Sequence, residues 1–231
     1  CQVAQRLFRT PTKIARIRAE AYQEESETLF TEHGFAIDVL ISPEQLVTDL
    51  VTHLIEYPGA LQVLDFADGL VRLVALRPQA NGPLLGKTLA HLQYFMPQYQ
   101  ARIVAIFRDE KPLVLSNDLT IELNDEVFFV ASSPHVLDVM SALRRLDHPY
   151  RRVMIAGGGN IGYRLAKNLE NDYQVKMIDH NVTTTNRLAA SLDKTIVLLG
   201  DATDRELLTS ENIEYTDVFC AVTNDDEVNI M

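Results

Sequence analysis

The run Arg152-Val153-Met154-Ile155-Ala156-Gly157-Gly158-Gly159-Asn160-Ile161-Gly162, with Val175-Lys176-Met177-Ile178-Asp179 downstream, decides the fold. An apolar segment of strand length leads into Gly157, Gly159 and Gly162, which match G-x-G-x-x-G. Ile161, Leu165 and Leu169 then repeat at helical spacing. The glycine pattern alone is weak, but between a strand and a helix it has the context its mechanism needs. Gly157 permits a tight turn around Gly158, Gly159 leaves the backbone open to a pyrophosphate, and Gly162 lets the helix pack closely. The helix start at Asn160 and Ile161 offers unpaired amides and a partial positive charge to phosphates. Asp179 ends the next strand, 22 positions beyond Gly157. An acidic residue about 20 positions on accepts hydrogen bonds from ribose hydroxyls and repels a 2′-phosphate. NAD(H) or an adenosine nucleotide (ATP or ADP) is therefore favoured over NADP(H). The bland alternative is a degenerate turn with an empty site. His180 reads as an exposed loop residue.

Further along, strands at 195–199 and 217–222 alternate with helices near 187–192 and after Thr203-Asp204-Arg205-Glu206, read as a capping box. Strand–helix alternation predicts a parallel sheet, whose ligands sit outside the carboxyl ends of the strands. That rule adds Asp201-Ala202 and Thr223-Asn224 to the candidate site. Asp201 either receives an adenine amino group or caps the next helix. Thr223 and Asn224 face sugar or phosphates, and Asp225-Asp226-Glu227 reads as an acidic first helical turn.

Upstream, residues 1–9 read as a helix, 13–18 as a strand, 23–33 as a helix and 37–41 as a strand. Ser42-Pro43-Glu44-Gln45 combines an N-cap, Pro at N1 and Gln at N3. The helix it opens carries the apolar pairs Leu46/Val47, Leu50/Val51 and Leu54/Ile55. That face packs on its own domain or crosses to a second one. A hairpin at 60–66 and 70–76 follows, then a helix at 88–95, strands at 102–107, 119–123 and 126–131, and a helix at 134–146. The fold class expected is α/β, a partial Rossmann-like parallel sheet joined to a small α+β subdomain.

The chain of 231 residues has a net charge of -11, which argues against nucleic acid as a partner. No apolar run reaches the ~18 residues needed to cross a bilayer. Its two cysteines form no metal or disulfide framework, and Cys220 reads as a buried, inert thiol. Gly82-Pro83-Leu84-Leu85-Gly86-Lys87-Thr88 resembles a P-loop but has one residue too few between the glycines. No nucleophile–base set or metal motif stands out, so a binding protein is expected rather than an enzyme. The rivals are an NAD-dependent oxidoreductase and a structural assembly module. The start at Cys1 and the end at Met231 read as those of a fragment, and the strand at 13–18 is expected to dock beside 217–222 of the same or a neighbouring chain.

These residues, together with Tyr57-Pro58-Gly59-Ala60-Leu61-Gln62-Val63 and Asp125-Glu126-Val127-Phe128-Phe129-Val130-Ala131, resemble the RCK (KTN) domain family of bacterial potassium-uptake regulators. The resemblance implies tandem units: 1–41 as the end of a first Rossmann domain, 42–59 as a crossover helix, 60–147 as the α+β subdomain of that unit, and 151–231 as the start of a second Rossmann domain. It makes Arg16 a nucleotide-contacting arginine of the first domain. It also implies a cytoplasmic regulatory subunit, peripheral on the inner membrane, that self-associates into a dimer or ring. Bound NAD(H) or ATP/ADP would bias that ring and so gate a membrane potassium channel subunit of the TrkH type. The helix opening at Val182-Thr183-Thr184-Thr185 is less charged than the family pattern.

Overall fold

The computed structural model describes residues 1–18, 22, 25–31, 34–80, 82, 85–96, 100–143 and 149–231, with only the backbone given for Ser26, Gln93, Phe95 and Ala142. The structure has a short amino-terminal segment, an α+β unit and a parallel α/β unit. The amino-terminal segment contains the helix Gln2–Phe8 and two strands, β1 (Ile14–Arg16) and β2 (Val39–Ile41), paired in parallel. β1 therefore pairs with β2, not with the 217–222 strand of its own chain, which corrects that expectation for the single chain. Of the expected 23–33 helix, residues 23, 24, 32 and 33 lie outside the described residues, and within 25–31 the helix is limited to Ser26–Leu29.

The helix Pro43–Glu56 starts where the sequence says it should. Ser42 is the N-cap, its hydroxyl accepting the Gln45 amide at 3.3 Å, with Pro43 in the first turn. Its apolar face is divided. Ile55 is buried and Val51 packs in the same cluster, in the core of the parallel unit, while Leu46, Val47 and Leu50 stay exposed. The helix thus crosses to the second unit, and burying Ile55 there contributes about 1.5–3 kcal/mol.

The α+β unit is a five-stranded antiparallel sheet in the order β3 (Ala60–Phe66), β4 (Val71–Leu76), β7 (Glu126–Ser132), β5 (Ala101–Arg108), β6 (Lys111–Pro112). The β3–β4 turn takes positive φ at Ala67, Asp68 and Gly69. Along β7, buried and half-buried residues alternate, as expected for a sheet with one face on the core. That core gathers Val74, Leu76, Ile106 and Phe129 against Val136, Val139 and Met140 of the helix Val136–Leu143.

The expected strand at 119–123 is not a strand. Thr120 makes one bridge to Thr88, and Ile121 and Leu119 exchange backbone bonds with residues 86–89. The stretch is cut short by a turn around Asp125. This fully buried carboxylate accepts the Glu122 amide at 2.8 Å and two bonds from Arg108. The end of the 134–146 helix, residues 83 and 84 of the P-loop look-alike and part of the linker lie outside the described residues.

The parallel sheet runs β10 (Ile196–Leu199), β9 (Gln174–Asp179), β8 (Arg152–Ala156), β11 (Val218–Ala221). Four of the five residues of β8 are buried, the signature of a strand covered on both faces. The helices Asn160–Leu169 and Val182–Ser191 cover one face through Leu165, Leu169 and Leu188. The second of these begins earlier than 187 because Asn181 caps it, accepting the Thr184 amide at 3.1 Å. The capping box at 203–206 needs a correction too. Asp204 is the N-cap of Arg205–Ser210, accepting the Glu206 and Leu207 amides, whereas Thr203 donates to Asp201. No helix of the described residues is long and apolar enough to cross a membrane.

Candidate nucleotide site

The sheet order places the turns after β8, β9, β10 and β11 at one end, the carboxyl end of all four strands. A cavity of about 210 Å³ opens there, lined by Gly157, Gly159, Asp179, His180, Asp201, Ala202, Thr223 and Asn224 over a floor of Ile178, Gly200, Val222 and Val228. It encloses less than the ~300–1,000 Å³ typical of small-molecule sites, so a dinucleotide would extend beyond it.

The glycine turn has three distinct geometries. Gly157 has φ +104°, which L-residues rarely adopt, and a Cβ there would meet the Val222 carbonyl oxygen at 2.9 Å. A Cβ on Gly162 would lie 1.9 Å from the Gly157 carbonyl oxygen, so this glycine is what lets the helix seat against the turn. A Cβ on Gly159 would meet nothing within 4 Å. Its missing side chain therefore serves no contact within the chain and leaves space in front of the main chain. Gly159 is the helix N-cap without a side-chain cap, and the first amide to close the helix is that of Tyr163, onto the Gly159 carbonyl at 2.9 Å. The amides of Gly159, Asn160 and Ile161 have no partner among the described residues, as an anion-binding helix start requires.

Two amides of the turn are not available to a ligand. Gly157 donates to the Ile178 carbonyl at 2.9 Å, and Gly158 donates to Asp179 Oδ2 at 2.7 Å. Asp179 also takes the Asn181 amide on Oδ1 at 2.8 Å. The carboxylate thus holds the turn and faces the cavity at once, with one further acceptor lone pair on each oxygen. Arg187 adds a bond from its guanidinium to the Gly158 carbonyl at 3.3 Å, a contact that sequence reading did not suggest.

Asp201 is exposed, and its Oδ1 accepts both the amide and the hydroxyl of Thr203, at 2.8 and 2.7 Å. Those bonds, first the backbone one and then the hydroxyl, hold its carboxyl below the ordinary aspartate range, with a smaller contribution from His180. Of the two roles open to Asp201, capping belongs to Asp204. Thr223 is fixed by Asn229, whose Oδ1 accepts both its amide and its hydroxyl. Asp225 caps the helix Asp226–Ile230, as its acidic first turn suggests.

Gly158, Asn160, Ile161 and Gly162 belong to the same turn and helix but are not among the residues lining the cavity. Arg16 is elsewhere. It lines a groove of the amino-terminal segment and lies 3.8 Å from Glu44, which also meets Arg18 at 3.4 Å. His180, read from sequence as an exposed loop residue, is exposed and also lines the cavity. Its place directly after Asp179 was the available signal. A larger concavity of about 1050 Å³ lies at the opposite, amino-terminal end of the strands. Several of its charged groups are already engaged: Lys176 with Glu211 at 2.8 Å, and Glu170 with the amides of Lys194 and Thr195. The carboxyl-end cavity, with open amides, is the better candidate.

Residues 153–231 match the TrkA-N domain model and residues 73–144 the TrkA-C domain model. Over all 231 residues the chain is 54% identical to the Trk system potassium uptake protein TrkA of Halomonas elongata. It is 52% identical to that of Vibrio alginolyticus over the same 231 residues. The chain covers 50% of each of these relatives, so it spans about half the length of the curated relatives it matches. Among solved structures, the GsuK RCK domain aligns over 95% of this chain and 45% of its own, with a TM-score of 0.60 at 17% identity. The GsuK channel aligns over 95% of this chain and 37% of its own, with a TM-score of 0.62 at 16% identity. The fold is therefore that of RCK domains, and the chain, with its TrkA-N and TrkA-C domains, belongs to the TrkA family.

Proposed function

We propose that this chain is the nucleotide-sensing part of a regulator of potassium uptake, a binding module rather than a catalyst. NAD(H), or ATP/ADP in its place, occupies the cavity at the carboxyl ends of β8–β11. The unpartnered amides of Gly159, Asn160 and Ile161 take the phosphates, Asp179 the ribose, and Asp201 and Thr223-Asn224 the rest of the nucleotide. The observation that carries this reading is the open space in front of Gly159, where a Cβ would touch nothing. The fold has a solved example described as the GsuK channel bound to NAD.

A nucleotide regulates only if it binds two conformations with different affinity. The helix Pro43–Glu56 is the element suited to carry that difference. It packs on Asn160–Leu169, whose first turn forms the cavity, and its other end meets β3 of the α+β unit, where His53 lies 3.4 Å from Asp65. Glu44, near its start, reaches Arg16, the arginine that would serve a first-domain nucleotide. The regulator sits on the cytoplasmic face of the membrane, self-associates, and acts on a potassium channel subunit of the TrkH type.

Calorimetric titration of the chain with NADH, NAD⁺ and ATP tests the binding step. Heat with at least one of them, lost in Gly159→Asp, is expected; no heat with any of the three overturns the reading. Potassium flux through a reconstituted channel subunit, measured with and without the bound nucleotide, tests the gating step.

A further inference from the structure

We infer that Arg187 is a positioning residue for the phosphates: it holds the Gly158–Gly159 peptide so that the Gly159 N–H, and not the Gly158 carbonyl, faces the cavity. This rests on the nucleotide reading above and deepens it, by naming what keeps the phosphate-binding amide in place before a ligand arrives.

That peptide is the least restrained of the turn. Glycine stands on both sides of it, so neither residue resists rotation of the plane between them. A rotated plane would present a carbonyl oxygen to a phosphate. In a trans peptide the C=O and the following N–H point in opposite directions, and no peptide bond of the described residues is cis. Fixing one end therefore fixes the other. Arg187 Nη2 donates to the Gly158 carbonyl at 3.3 Å. Gly159 lines the cavity, whereas Gly158 and Arg187 do not. The carbonyl is thus held on the side of the turn away from the cavity, and the Gly159 N–H is turned toward it. The other polar group of Gly158 is held too, its amide donating to Asp179 Oδ2 at 2.7 Å.

The arginine is itself held in place. It comes from the helix Val182–Ser191, which lies directly against the turn. A Cβ on Gly158 would press on Leu188 Cδ1 and meet Thr184 Cγ2 at 3.0 Å, so the middle glycine, which the fingerprint leaves free, is what lets this helix approach. The Arg187 guanidinium carbon stands 5.8 Å from the centre of the Tyr163 ring, within cation–π range. Tyr163 belongs to the first turn of Asn160–Leu169, the helix whose start meets the phosphates. A guanidinium suits this place because it is planar and always charged, able to stack by its face and donate from its edge. Arg187 is otherwise exposed, so water competes for it and its effect is modest.

The test is calorimetric titration of the whole chain, Arg187→Ala and Arg187→Lys with NADH, beside the Gly159 amide resonance of each without ligand. Arg187→Ala is expected to weaken NADH binding roughly three- to tenfold, the size of one hydrogen bond. Its Gly159 amide is expected to show exchange broadening, as the peptide samples both orientations. Arg187→Lys, whose ammonium can still donate to the carbonyl, is expected to recover most of the affinity and the sharp resonance. A charge acting only at a distance, or a purely structural arginine, would leave the Gly159 amide of folded Arg187→Ala sharp. Unchanged NADH affinity in Arg187→Ala, or weaker binding with a sharp Gly159 amide, overturns the inference while leaving nucleotide binding intact. Failure of the unaltered chain to bind NADH overturns the reading beneath it as well.

Discussion

Arg164 donates through Nη1 to Gln45 Oε1 at 2.8 Å, joining residues 119 positions apart in the chain. The arginine is 5% exposed. It lies on the helix whose first turn forms the cavity, and Gln45 on the helix that continues into the α+β unit. Buried charges are tolerated only when hydrogen-bonded, so Gln45 is structural on both sides of the contact. Gln45→Ala is expected to lower the unfolding free energy by about 1.5–3 kcal/mol, as for a hydrogen bond to a charged group. Denaturant titration measures it. If the helix carries the nucleotide signal, the same substitution also weakens the linkage between nucleotide and stability, read as a smaller ligand-induced rise in Tm.

Gly159 and Gly162, two of the glycines that match the fingerprint, predict opposite outcomes on substitution by alanine. Gly159 has φ -67° and room for a Cβ, so Gly159→Ala keeps the stability of the chain within about 0.5 kcal/mol and weakens nucleotide binding. Gly162→Ala puts a methyl 1.9 Å from a backbone oxygen that belongs to the turn. It is expected to destabilise by about 1–3 kcal/mol whether or not ligand is present. Thermal unfolding with and without NADH separates the two, and loss of stability in Gly159→Ala alone would contradict the geometry.

Glu170 gives the chain an acid-sensitive point away from the cavity. It is 7% exposed. Burial opposes its ionisation, but bonds from the Lys194 amide, the Thr195 hydroxyl and the Asp193 and Thr195 amides outweigh burial and hold its pKa below the ordinary glutamate value. A carboxyl with a depressed folded-state pKa stabilises the fold fully above its unfolded pKa, about 4.3, and loses that contribution as pH falls toward the lower folded value. Stability measured by urea titration is therefore expected to fall below about pH 4.3 with a component that Glu170→Gln removes. At pH 7 the same variant is less stable by about 1–3 kcal/mol, because a carboxamide cannot accept all these bonds.

The parallel half of the fold was legible because its signals are local and mutually consistent. The glycine turn, the apolar β8 and the terminal Asp179 each follow from residues within a short window, and their spacing fixes the topology. The 119–123 stretch was not legible as a loop. Ile121 is fully buried and alternates correctly, but its backbone bonds go to residues 86–89, a pairing set by tertiary placement and ended by the Arg108–Asp125 contact. The Asp204 cap was misplaced by one position because Thr203 and Asp204 are both good N-cap residues, and sequence does not say that Thr203 is engaged by Asp201. The engagement of the Gly158 amide by Asp179 was likewise out of reach. A fingerprint gives the residues that can meet a ligand, whereas which amides remain open depends on side-chain placement in the folded turn.

The two cysteines should differ sharply in reactivity, although both are reduced and unpaired. Cys220 lies half-buried on β11 beside β8, and burial pushes its thiol up to about 11. The thiolate is the reactive species, so at pH 8 only about one part in a thousand of Cys220 is primed to react. Cys1 is exposed at the start of the first helix. Titration of the native chain with a disulfide reagent at pH 8 is expected to release one equivalent promptly, with the second following only on unfolding. Because the β11–β8 register holds Cys220 opposite Ile155, directly behind the glycine turn, its slow reaction also reports on opening of that pair of strands. A nucleotide bound at the turn should slow it further, in proportion to the stability it adds. Two equally fast thiols in the folded chain would mean that β11 is not packed on β8 as described.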